Sequence, residues 1–177
     1  MRGLDIERLL MPNTYVKQLA QEVGQRAALV VGTGIGAEEV EDYGKPVTVF
    51  QHLRMLRNAQ ALAQTPDWYL RWGQRMGEHF HGPVSMAWLC APTLGEGFDV
   101  FLKYIPSRVP YLHWQGYREQ AKFVAEVSSL IDAGGVEDML VEVPMLVMHE
   151  YARTIRPGSI ADARIEHLAQ RSPVRRN

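Results

Sequence analysis

Apolar residues recur at helical spacing along the first two-thirds of the chain. The clearest case is residues 51–63, where Leu53, Leu56 and Ala59 lie three residues apart and so share one helix face. Thr93 marks the start of another helix, because its hydroxyl can cap the first turn and Glu96 can complete a capping box. Four helices are predicted on this basis, over residues 15–23, 51–63, 68–73 and 93–105.

The period changes to two after residue 110. Residues 111–115 and 120–127 alternate between apolar and polar positions, which predicts two antiparallel strands joined by a turn that contains Gly116. Residues 136–155 then return to helical spacing, and we expect a kink or a restart of the helix at Pro144. A last strand is predicted over residues 163–168. The predicted fold class is α+β: a helical N-terminal half followed by a small antiparallel sheet with a long helix packed against it.

Length and composition are those of one ordinary globular domain, which we predict to span residues 1–177. The net charge of -1 gives no general attraction to nucleic acid or to anionic membranes. Cys90 is the single cysteine, so an internal disulfide is excluded and a reducing compartment fits. The N-terminus has no signal-peptide pattern and no run approaches membrane-spanning length, so we expect a cytoplasmic protein.

The stretch from Gly32 to Ala37 reads GTGIGA and matches the G-x-G-x-x-G/A turn of dinucleotide-binding folds. In those folds a strand turns into a helix whose first amides hold the pyrophosphate. Here the four carboxylates of residues 38–42 would repel a pyrophosphate, and a helical pattern over residues 15–23 lies where strand context is needed. We therefore interpret the stretch as a glycine-rich loop between helices.

No constellation in the sequence indicates catalysis. His79 and His81 share one strand face, but no third metal ligand lies at suitable spacing, so an exposed loop is the preferred interpretation. Cys90 follows Trp88 and Leu89, which favours a buried small hydrophobe over a nucleophile. We predict that the chain is not an enzyme and binds neither a metal ion nor a cofactor.

The first predicted strand has two unlike faces. Alternation places Tyr111, His113 and Gln115 on one side and Leu112 and Trp114 on the other. An aromatic and polar face suits the wall of a small-molecule pocket, whose apolar lining carries a few hydrogen-bonding groups. The alternative, the wet side of an edge hairpin, fits the pattern equally well.

Ligand-binding candidates follow from this face. We predict a pocket formed by Tyr111, His113 and Trp114, with Arg118 as the partner for an anionic group. Gln51 and Asn58, seven residues apart on one helix face, are the alternative candidates.

Several stretches, in their order and spacing, are similar to a known family. They are the Thr33-Gly34 turn, Gln51 with Arg57-Asn58-Ala59, residues 70–73, the Gly82-Pro83 turn, and residues 92–104 beginning PTLGE. Together they resemble the N-terminal effector-binding domain of AraC-type transcription regulators, in the branch called arabinose-binding-like. In that family the glycine-rich stretch is the loop before the helix that contains the glutamine.

The resemblance implies a cytoplasmic transcription regulator whose N-terminal domain senses a small molecule or forms a homodimer. It also implies a C-terminal DNA-binding domain with two helix-turn-helix units, and none follows within these 177 residues. We therefore expect DNA contact only through that further domain.

Two alternatives stay open. One is a small cytoplasmic enzyme that binds a nucleotide at the loop from Gly32 to Ala37. The other is a pure interaction module that dimerises and has no ligand pocket. The sequence identifies no effector, operator or direction of regulation.

Overall fold

The computed structural model describes residues 6–42, 44–77, 82–119, 122–155 and residue 158. Helices dominate the N-terminal part, and the longest strands and the longest helix follow, so the α+β class is confirmed. The elements are β1 (Leu10–Met11), α1 (Thr14–Val23), α2 (Arg26–Leu29), a 3-10 turn (Glu39–Glu41), β2 (Val47–Thr48), α3 (Val49–Leu62), α4 (Trp68–Gly77), α5 (Pro83–Leu89), α6 (Leu94–Tyr104), a second 3-10 turn (Ile105–Ser107), β3 (Leu112–Glu119), β4 (Lys122–Ser129) and α7 (Glu137–Ile155).

The structure confirms the predicted cap at Thr93 and shows a second cap, at Thr48, that the sequence analysis did not name. Thr93 caps α6, since its hydroxyl oxygen accepts a hydrogen bond from the amide of Glu96 at 3.2 Å. A full capping box stands instead at α3, where Thr48 and Gln51 bond to each other's backbone amides. This cap fixes the first turn of α3 and therefore the direction in which its apolar face points.

Two small antiparallel sheets form. In one, Leu10 pairs with Thr48 and Met11 with Val47. In the other, β3 and β4 pair along their full length, from Leu112 opposite Ser129 to Glu119 opposite Lys122. The predicted strand pair is thus confirmed.

The predicted turn at Gly116 is wrong. Gly116 lies inside β3, opposite Ala125, and the pairing of the two strands continues to Glu119 opposite Lys122. A side chain at Gly116 would collide with Leu102 of α6 and would lie 2.9 Å from the ring of Phe123. The glycine is required by the close packing of α6 on the hairpin, which alternation in the sequence does not reveal.

Helix α7 runs continuously through Pro144, so the helix does not restart there. It packs along α4, where two glycines permit close approach. A β-carbon on Gly73 would lie 3.4 Å from Leu146, and one on Gly77 would collide with Glu150. The strand predicted over residues 163–168 lies outside the described residues.

One hydrophobic core joins the helical half to the hairpin and α7. The apolar stripe predicted for α3 is buried at Leu53, Leu56 and Ala59, with Met55 beside it. Among the described residues, no helix has both the length and the apolar character that crossing a membrane requires.

Candidate functional site

A cavity of about 50 Å³ lies in the core where the helical half meets the hairpin and α7. Its lining is almost entirely apolar, and every lining residue except Pro144 is buried. The lining residues are Tyr15, His52, Leu56, Trp72, Met76, Phe101, Ile105, Val109, Tyr111, Trp114, Met139, Leu140, Val143, Pro144 and Val147.

Helical spacing brings several of these side chains to the cavity. His52 and Leu56 are four residues apart on α3, and Trp72 and Met76 are four apart on α4, so each pair shares a face. Val143 extends the wall from α7. The cavity therefore depends on how the helices pack together, because no single element supplies more than a part of it.

His52 and Tyr111 form the polar centre of the cavity wall. The phenol oxygen of Tyr111 lies 3.3 Å from Nε2 of His52, and the two rings stack at 5.8 Å. Burial lowers the pKa of His52 to about 4, so the imidazole is neutral at pH 7. Burial also raises the pKa of Tyr111, which keeps the phenol protonated.

A second phenol, Tyr15, completes the set of hydroxyl groups in the wall. Burial raises its pKa, and the guanidinium of Arg108 partly opposes that shift. Arg108 lies over the Tyr15 ring at 5.6 Å and is not among the lining residues. The described lining carries no formal charge at neutral pH.

Three buried polar atoms in the lining residues have no hydrogen-bond partner among the described residues: Nδ1 of His52 and Nε1 of both Trp72 and Trp114. Buried polar atoms in folded proteins are nearly always paired, with protein groups, water or a ligand. A cavity of about 50 Å³ exceeds the roughly 10–15 Å³ that one water needs. The cavity thus combines room for a guest with lining residues that carry unpaired polar atoms.

The structure brings together only some of the residues that were predicted to form the pocket. Tyr111 and Trp114 line the cavity, whereas His113 and Arg118 are exposed on β3 and lie outside it. Arg118 instead pairs with Asp99 at 3.1 Å. The expected mixed face does not form, because Tyr111 precedes β3 and turns into the core while His113 stays in solvent.

Gln51 and Asn58 lie together on α3, but their amides hold the preceding loop. Asn58 donates hydrogen bonds to the carbonyls of Leu29 and Val31 at 2.7 and 2.9 Å. Gln51 donates to the carbonyl of Thr33 at 3.2 Å. Neither residue reaches the cavity, and their role in ligand binding stays a prediction.

Gln51 also borders a second, more polar pocket of about 140 Å³ beside the loop. Asn13 lies in its wall and donates its side-chain amide towards the carbonyls of Glu39, Val40 and Asp42. The Oδ1 atom of Asn13 is buried without a hydrogen-bond partner. This pocket is the alternative location for a ligand.

The stretch from Gly32 to Ala37 is the glycine-rich loop that we inferred. Helix α2 precedes it where a dinucleotide fold has a strand, and a three-residue 3-10 turn follows it. Gly32 and Gly34 both have φ of 74°, a conformation that favours glycine. The strand-turn-helix unit that the motif requires for a pyrophosphate is not formed.

Cys90 and the pair His79 and His81 were also considered as candidates from the sequence. Cys90 is exposed, so its prediction as a buried hydrophobe is wrong. It follows the last residue of α5, and so leaves the face that Trp88 buries. His79 and His81 lie outside the described residues, and within the described part no three potential ligands gather around a metal site.

His52 and Trp72 line the cavity but were not among the ligand-binding residues predicted from the sequence. Both lie within amphipathic helices that the apolar periodicity had already explained as core. The usable signal was a histidine inside an otherwise apolar stripe, four residues before Leu56.

Comparison with known proteins gives one family. Residues 24–173 match the family model described as the arabinose-binding domain of AraC transcription regulator, N-terminal. Searches of curated proteins and of solved structures each gave no match. The family match covers most of the chain and includes every cavity residue except Tyr15. The chain therefore belongs to the family of N-terminal arabinose-binding domains of AraC transcription regulators.

Proposed function

We propose that this domain senses a small molecule by binding it in the core cavity lined by His52, Tyr111, Trp72 and Trp114. The observation that carries the proposal is the group of three unpaired buried polar atoms around one cavity. The second pocket offers one such atom, on Asn13, and is less enclosed by the core. We therefore assign the effector to the core cavity.

The position of the cavity suits a sensor. Its wall is formed by residues of α3 and α4 in the helical N-terminal half and by residues of β3 and α7 in the C-terminal half. A ligand that contacts both parts stabilises one relative arrangement of them over another. Such a ligand acts only through its different affinity for the two states.

The regulatory output is also part of the proposal. We infer that the domain works in the cytoplasm as a homodimer and controls a C-terminal DNA-binding domain of the regulator. Effector binding then shifts the population of two dimer or interdomain arrangements. Light scattering on the chain with and without effector tests the first step, because a strictly monomeric chain in both states contradicts it.

A thermal-shift screen tests ligand binding itself. The chain is screened against amino acids, sugars, fatty acids, aromatic metabolites, NAD and NADP, since a ligand of the folded state raises the melting temperature. NAD and NADP are included because the alternative, a nucleotide-binding enzyme, requires them. A response to these two alone favours that alternative.

A cavity-filling variant then locates the site. In Val143→Phe the added ring occupies the cavity, so every effector response is lost, at a cost of about 1–3 kcal/mol in stability from overpacking. Val31→Phe is the matched control, because Val31 is 64% exposed and lies outside the cavity. Circular dichroism checks that Val143→Phe is folded. Ligand responses that persist in folded Val143→Phe contradict the assignment.

A further inference from the structure

We propose that the effector is a small, uncharged and largely apolar molecule that carries a hydrogen-bond acceptor, and that it is neither a sugar nor a carboxylate. This inference rests on the proposed function and assigns the chemical class of its ligand. Three properties of the cavity support it: the uncharged lining, the small number of hydrogen-bonding groups and the volume.

The residues that line the cavity carry no charge to balance an ionic ligand. Its described lining contains no Lys, Arg, Asp or Glu, and His52 is neutral at pH 7. The neighbouring guanidinium, that of Arg108, is not a lining residue: it lies over the Tyr15 ring, interacts with the Tyr15 phenol through its charge and a hydrogen bond, and has a nitrogen 3.5 Å from the hydroxyl of Thr14. An ionised carboxylate buried without a partner is strongly disfavoured. A carboxylate is thus a poor occupant.

A sugar is excluded by the number of its polar groups. Each hydroxyl that leaves water needs a hydrogen-bond partner, and one left unpaired is costly. The polar groups in the wall belong to two phenols, one imidazole and two indoles, while all other lining side chains are apolar. A pentose carries more donors and acceptors than these groups can pair. The family's arabinose-binding label therefore does not describe this cavity.

The available polar groups call for an acceptor on the ligand. The indole N–H groups of Trp72 and Trp114 can only donate, and neither has a partner within the residues that the structure describes. If Nε2 of His52 accepts from Tyr111, its Nδ1 carries a hydrogen and is a third free donor. In the other tautomer the Tyr111 hydroxyl is left to donate. Either way, a carbonyl or ether oxygen finds a donor.

Size limits the ligand to about one ring. The cavity of about 50 Å³ is smaller than the roughly 150 Å³ that admits benzene in an apolar protein core. Met76 and Met139 form part of its wall, and unbranched methionine side chains adapt readily to a guest. A monocyclic compound fits if these side chains move, and a larger one requires the helices to separate.

Four probes of graded chemistry test the class. Acetophenone is apolar with one carbonyl acceptor, ethylbenzene has a similar shape without it, benzoate adds a charge, and L-arabinose is a polyol. Affinities are measured by NMR titration at pH 7.5, with the tryptophan indole N–H signals observed. We expect acetophenone to bind about fivefold to tenfold tighter than ethylbenzene, as one hydrogen bond predicts. Benzoate and L-arabinose should show no binding at about 10 mM, which is about tenfold above a millimolar Kd.

Two tryptophans on α4 provide a matched pair of variants. Trp72 and Trp68 are both 4% exposed, but Nε1 of Trp68 already donates to Gln60 at 3.0 Å. We expect Trp72→Phe to weaken acetophenone binding about fivefold relative to ethylbenzene binding, because the variant removes an indole N–H donor. Trp68→Phe should change neither. Trp114→Phe repeats the test should Trp72→Phe fail to fold.

Each contrary outcome has a defined meaning. Binding of benzoate or L-arabinose that is lost in Val143→Phe overturns the ligand class and leaves the site in place. Absence of binding by all four probes also overturns the class. Acetophenone binding that persists in Val143→Phe overturns this inference and, if screen hits persist there too, the proposed function with it.

Discussion

The glycine-rich loop and the core cavity both contain polar side chains that are at least half-buried, and they differ in whether the amide or indole N–H groups of those side chains have partners among the described residues. At the loop, Asn58 and Gln51 donate to main-chain carbonyls of residues 29, 31 and 33. In the cavity wall, Trp72 and Trp114 have buried indole N–H groups with no partner in the described part of the chain. A buried polar group that is paired stabilises the fold, whereas an unpaired one calls for a further partner such as water or a ligand.

The difference has a physical origin in the backbone. Around the loop the chain leaves regular structure, so its carbonyl groups need partners that helices and strands would otherwise provide. Side-chain amides from α3 and from Asn13 supply them. Around the cavity, α3, α4 and α7 satisfy their own backbone groups. The indole N–H groups of Trp72 on α4 and Trp114 on β3 are therefore not needed to pair the backbone of these helices.

The largest expected loss of stability comes from removing the side-chain hydrogen bonds that hold the backbone around the glycine-rich loop. Asn13→Ala removes the donor for the carbonyls of Glu39, Val40 and Asp42. We expect a loss of roughly 2–3 kcal/mol in the free energy of unfolding, because buried carbonyls lose their partner. Urea denaturation measures it, with Gln74→Ala, at an exposed position on α4, as the control. A loss as small as that of the control would show that the loop is not held in this way.

A pH-dependent effect of similar or smaller size is expected from the cavity. The pKa of His52 falls from 6.5 to about 4 on folding, so between these values only the unfolded chain binds the proton. Stability from this group is complete above pH 6.5 and is lost as the pH falls towards 4. The expected loss from pH 6.5 to pH 5 is roughly 2 kcal/mol.

Two histidine variants isolate this effect from that of the carboxylates. His52→Gln removes the titrating group from the cavity, while His113→Gln removes an exposed histidine from β3. Denaturation at pH 6.5 and pH 5 should show a smaller loss for His52→Gln than for wild type, and an unchanged loss for His113→Gln. Equal losses in all three proteins would mean that His52 is accessible to protons in the folded state.

The smallest effect is expected at the exposed candidates. Arg118→Ala removes a surface ion pair with Asp99, and such pairs contribute little in water. We expect no measurable change in melting temperature or in affinity for a hit from the metabolite screen. A tenfold loss of affinity in Arg118→Ala would instead favour a ligand site on the hairpin that includes Arg118, as the sequence predicted.

The contrast between Tyr111 and His113 shows where sequence reasoning ended. Alternation placed both on one face, but it holds only inside a strand, and Tyr111 lies just before β3. Its place in the core comes from contact with His52, which is 59 residues away in the chain. Gly116 likewise reads as a turn in the sequence and is a packing site for Leu102 in the structure.

The sequence by itself determined the α+β class, the helices over residues 51–63 and 136–155, the strand pair and the family, because these depend on local periodicity and on the order of short motifs. Tertiary structure alone decided which polar residues are paired. Hydrogen bonds such as that of Asn58 to Leu29, and the lack of one at Trp72, follow from the packing of elements distant in the chain. The candidate site therefore emerged only once the helices were assembled around it.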